Sequence, residues 1–119
     1  MDVASVLKEY VEPATSAFLR EAAGLVDEHI ESVRNAADEH DFIDVGLGER
    51  IAEVLHALIE GAETYTAKER ALLRGAIRYF TQHDDEIADL QSPTGMDDDA
   101  EVLNAVSAFL GRNDLVITI

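Results

Sequence analysis

The chain has 119 residues, a formal net charge of −16 and no cysteine, which excludes disulfides, thiolate metal sites and cysteine nucleophiles. Its hydrophobic fraction of 47% is ordinary for a globular protein, and a single domain of this length can bury a core without staples. So negative a chain is ill suited to neutralising phosphates or to anionic membranes, so no direct nucleic-acid binding is expected.

Two roles for the charge remain: solubility, or an acidic surface that imitates DNA and inhibits a basic partner. Seven arginines against the two lysines, Lys8 and Lys68, suit a salt-rich or GC-rich origin. No apolar run reaches the length of a membrane span, and Asp2 stands where a signal peptide carries positive charge. A cytoplasmic protein without a membrane span is expected.

Residues 3–11 carry Val3, Val6, Leu7 and Tyr10 at helical spacing, and Pro13 ends that pattern. From Ala14 to about His40, Leu19, Ala23, Val26, Ile30, Val33 and Ala37 step by four and three, a heptad seam. Phe18, Ala22 and Leu25 widen its first half. The seam can pack within the domain or pair with a partner, so a homodimer or another protein docked along residues 19–37 is expected.

Asp41 to Gly48 reads as a loop, with Gly46 and Gly48 as its permissive positions. A third helix is expected from Glu49 to about Glu63, with Ile51, Leu55, Leu58 and Ala62 inward. Thr66-Ala-Lys-Glu69 is a capping box, and it opens a helix whose buried stripe is Leu72, Leu73, Ala76, Ile77 and Phe80.

Arg70, Arg74 and Arg78 fall four apart on that helix and share one face. From Tyr79 to Gly111 there is no lysine or arginine, while Asp84, Asp85, Glu86, Asp89, Asp97, Asp98, Asp99 and Glu101 crowd together. Like charges at such density need donors or a cation. The arginine stripe is expected to form ion pairs with this turn, and Asp98 or Asp99 to cap the last helix. Alternatively, Asp85, Asp89, Asp98 and Asp99 form a carboxylate site for magnesium or calcium that supports binding or hydrolysis.

Ser92-Pro93-Thr94-Gly95 is a turn, and Val102, Leu103, Val106, Phe109 and Leu110 form the core face of the last helix. Gly111 stops it, and Leu115–Ile119 is read as a clamped tail. Glu53-x-x-His56 lacks the second copy that a di-iron bundle needs, and His83-Asp84 lacks the further histidines of a phosphohydrolase. No nucleophile elbow and no phosphate loop is present. The fold expected is all-α, a single-domain bundle of four or five helices with a helix–acidic turn–helix unit in the C-terminal half.

Residues 67–111 resemble the YkvA-like family, a domain family of unknown function. Its pattern is an apolar helix ending in tyrosine, then P-x-D-L-I-P-D, a glycine, and paired aspartates ahead of a second apolar helix. Tyr79, Asp85, Ile87, Asp89, Gly95, Asp98 and Asp99 fall at matching positions. His83 and Ala88 stand in place of the family prolines, and Glu86 in place of a leucine. The resemblance implies a fold and no activity. The leading expectation is a small acidic helical protein that acts by protein–protein association or self-association.

Overall fold

The structure is a computed structural model that describes residues 2–39, 43–83 and 95–118. Five helices carry it: α1 (Val3–Tyr10), α2 (Ser16–Glu39), α3 (Val45–Glu60), α4 (Ala67–Arg78) and α5 (Gly95–Phe109). Short 3-10 turns follow α3 and α5, a π-helical turn (Tyr79–His83) extends α4, and the described residues contain no strand. The all-α bundle expected from the sequence is the fold. No helix of the described residues is long and apolar enough to cross a membrane.

Local chemistry sets most of the helix starts. Asp2 accepts from the Ser5 backbone N–H at the head of α1, and Thr15 accepts from that of Phe18 at the head of α2. At α4 the capping box is complete: Glu69 N–H donates to Thr66 Oγ1 at 3.2 Å, and Thr66 N–H to Glu69 Oε1 at 2.8 Å.

Two starts differ from expectation. Helix α3 begins four residues early because Asp44 accepts from the Leu47 N–H at 3.0 Å, so Gly46 and Gly48 lie in a helix rather than a loop. Gly48 is needed there for closeness: a Cβ would stand 3.3 Å from Ile30 Cδ1 and 3.5 Å from Val33 Cγ1 of α2. Helix α5 begins at Gly95, which puts Asp97, Asp98 and Asp99 inside its first turns instead of at its cap. They keep a favourable position near the positive helix end.

The long seam of α2 finds its partner inside the chain. Leu19, Val26 and Val33 are 0% exposed and pack with Ile51, Val54, Leu55 and Leu58 of α3, which are equally enclosed. Helix α2 makes its largest contact with α3, α1 lies on α4, and α5 packs across α3 and α4. The central side chains of the seam are thus spent on the domain's own core, the first of its two expected uses. Leu25 and Phe109 were expected in the core as well, yet they stand 50% and 49% exposed.

The tail is held by a side chain imitating a strand. Asn104 Nδ2 donates to the Ile117 carbonyl at 2.9 Å, and Ile117 N–H donates to Asn104 Oδ1 at 2.8 Å. That pairing buries Ile117 to 6% exposure without any sheet.

Candidate functional site

Of the four candidate metal ligands, Asp85 and Asp89 lie outside the described residues. Asp98 is half-buried, while Asp99 is 2% exposed, one turn along α5 from the buried Met96. Nearby in sequence, the π-helical turn brings two successive aromatics inward. Tyr79 meets Tyr10 edge-on at 5.2 Å, and Phe80 meets the buried His29 at 4.6 Å. Single π turns of this kind often accompany functional sites. Among the described residues, no group of three or more His, Asp or Glu side chains is placed to hold a metal ion.

The arginine stripe reaches backwards along the chain. Arg70 Nε donates to the Ala14 carbonyl at 2.8 Å and its NH1 to that of Tyr65 at 2.7 Å. Arg74 donates to the Pro13 carbonyl at 2.6 Å and pairs with Glu12 at 3.0 Å. Arg78 donates to the Tyr10 carbonyl and to Glu12 Oε1, both at 2.8 Å. The stripe therefore straps the connection between α1 and α2 onto α4. Glu12 is the carboxylate it meets among the described residues, and the expected partners Asp85 and Asp89 lie outside them.

Aromatic rings complete the strap. The Arg74 guanidinium lies 4.0 Å from the centre of the Phe18 ring, and Arg78 lies 5.7 Å from that of Tyr10. Gly75 lets the strap come close, since a Cβ there would stand 3.3 Å from Val11 Cγ2.

A third constellation runs along the open crease between α2 and α3. Arg20 pairs with Glu63, His56 Nε2 meets Asp27 at 2.8 Å, and Arg34 Nε meets Glu49 at 3.5 Å. The partners step by seven residues up α2 and by seven down α3 and the turn after it. That is the flanking-charge pattern of an antiparallel helix pair. Each rung is solvent-exposed and contributes little, so the rungs fix register more than they stabilise. Glu31, then Glu49, push the Arg34 pKa above its ordinary value.

The two side chains of Glu53-x-x-His56 take different partners. Glu53 binds Arg50 at 2.9 Å, while His56 serves the middle rung. In the sequence, Arg20, Asp27 and Arg34 stand as flanks of the seam without visible partners. The signal was present: Glu49, His56 and Glu63 carry the same seven-residue step in the next helical segment.

All seven arginines are engaged within the chain, the seventh being Arg112, which forms two hydrogen bonds to Asp114 at 3.1 Å. That pairing holds the Asp114 carboxyl below its usual range. The surface therefore presents carboxylates with no uncommitted guanidinium among them.

No family model matches the chain, and no curated protein and no solved structure matches it.

Proposed function

We propose that this chain works by association, as a helical module that presents an acidic surface to another protein chain. The observation that carries the reading is the crease between α2 and α3, an unroofed strip of paired charges over a closed apolar core. With Leu19, Val26, Ile30 and Val33 of the seam enclosed, the outer flank of α2, with the partly exposed Ala23, is the part of that helix left for a partner or a second copy. The YkvA-like spacing of residues 67–111 supports a kinship of fold with that family and adds no chemistry.

The test compares the native chain with Ala23→Arg, which puts a long cation into the crease. Size-exclusion chromatography with light scattering reads self-association, and affinity capture from the source cells reads other partners. A complex formed by the native chain and lost in the variant is expected. A strict monomer that captures the same proteins as the variant would overturn the reading.

A second reading keeps the acidic turn as a divalent-cation site, with Asp85, Asp89, Asp98 and Asp99 as oxygen ligands for magnesium or calcium. Its support is Asp99, a carboxylate 2% exposed in the first turns of α5 with Asp98 beside it. Such a site raises the melting temperature with metal concentration, and Asp98→Asn removes that rise. An unchanged melting temperature at millimolar metal would sink it.

A further inference from the structure

Between the Arg20–Glu63 and Asp27–His56 rungs, the crease widens into a depression of about 420 Å³, lined by Arg20, Ala23, His56, Ile59 and Glu60. Its floor is apolar, from Ala23 and Ile59, and its walls are charged. Beside it, Gly24 has no atom within 4 Å of where a Cβ would stand, so that edge of the depression is bare. Pockets for small molecules enclose most of the ligand surface. This one is open to solvent, a shape suited to one side chain presented on a helix laid in the crease.

Charge selects the kind of helix. Asp27, Glu31, Glu49, Glu53, Glu60 and Glu63 flank the crease, and the arginines there are already bound to members of that set: Arg20 to Glu63, Arg34 to Glu31 and Glu49, Arg50 to Glu53. A second copy would bring the same carboxylates and another net charge of −16. Like-charge juxtaposition at an interface costs several kcal/mol, so this strip disfavours its own kind.

We infer that the crease docks an amphipathic helix of a basic partner protein. One apolar side chain of that helix seats on Ala23 and Ile59, and lysines or arginines a turn to either side meet Asp27, Glu31 and Glu60. The inference rests on the association reading and narrows it to a partner chemistry.

The test uses the full chain and two fluorescein-labelled synthetic helices that share a leucine stripe, one filled with lysine and one with glutamate. Binding is followed by fluorescence anisotropy at about 150 mM salt, where exposed charges more than about 8 Å apart are largely screened. Saturable binding of the lysine peptide alone is expected. Ala23→Arg is expected to weaken it by roughly tenfold or more, about 1.4 kcal/mol. Ala4→Arg, the same charge change at an exposed position on α1, is expected to weaken it by less than about twofold, a shift well under 1.4 kcal/mol.

Gly24→Arg, at the open position beside the depression, repeats the block if Ala23→Arg does not fold. Equal weakening by the crease and α1 variants would mean binding to net charge alone, and would overturn the inference. Equal affinity for both peptides, lost in Ala23→Arg, would overturn the basic partner while leaving association through the crease standing. Absence of saturable binding by either peptide overturns the docking surface. Association itself is judged separately, by the light-scattering and capture results.

Discussion

The Tyr65 hydroxyl donates to the Leu58 carbonyl at 2.6 Å and ties the turn after α3 to the end of that helix. Burial raises the Tyr65 pKa above 10.0; Arg112 opposes the shift and Glu69 adds to it. A raised folded-state value means the stabilisation is fully present below pH 10.0 and is lost as pH climbs through the folded value. Tyr65→Phe is expected to cost about 1 kcal/mol at neutral pH. It is also expected to flatten the fall of the urea midpoint above about pH 10, the range of an ordinary tyrosine. A variant with the native alkaline slope would assign that slope to other groups. Ser107 makes the opposite case. Its Oγ is fully enclosed on α5 without a hydrogen-bond partner among the described residues, so Ser107→Ala removes an uncompensated polar group and improves helix propensity. Thermal denaturation is expected to show a gain of about 0.5–1.5 kcal/mol.

At the scale of elements, α1 is the least committed helix, since Leu7 is its one buried residue. Arginines on α4 hold the connection after it, by bonds to the carbonyls of Tyr10, Pro13 and Ala14 and to the Glu12 carboxylate. Hydrogen exchange on the double variant Arg74→Gln/Arg78→Gln is expected to show residues 3–14 opening roughly tenfold faster or more, as a unit of low local stability. Protection across α2 and α3 is expected to stay as it was; loss there would mean that the strap holds the whole core. The same elements show what a sequence can display. The start of α4 is legible because Thr66 and Glu69 carry both halves of the capping box three residues apart. The start of α3 is hidden because two glycines come after its true cap, Asp44, and read as a loop. The arginine stripe was legible as a face but its partners were not, because apart from the nearby Tyr65 carbonyl they lie 56 to 68 residues upstream. Phe109 reads as core by spacing, and the structure instead sets it half out of the core beneath the Lys68 ammonium, 5.3 Å from the ring centre.

For the whole molecule, 25 acidic residues face nine lysines and arginines, and every arginine is bound internally. Two salt effects then compete. Screening weakens the exposed pairs, each of which contributes little, and it relieves the repulsion among the excess carboxylates. The excess is large, so the melting temperature at neutral pH is expected to rise as sodium chloride goes from about 0.01 to 0.5 M, across which the screening length falls from about 30 Å to a few ångströms. A falling temperature would mean that the pairs outweigh the repulsion. Overall class was readable at this scale, because apolar periodicity and the lack of strand patterning leave few alternatives to a helical bundle. How the acidic residues divide between internal partners and open surface was not, because that division depends on contacts between distant segments.

The three rungs along the crease also act as a ruler. Each is counted from within a helix, so residues added between Glu39 and Asp44 leave every rung opposite its partner. One residue inserted within α3 between Glu49 and His56 rotates the C-terminal part of the helix by about 100° against the N-terminal part. The rungs on the two sides of the insertion could then no longer align together. This hairpin of helices therefore tolerates change of length at its connection and resists it along its shafts. Natural variation in chain length is expected to collect at that connection, and a designed insertion there, checked by a melting curve, would read the difference directly.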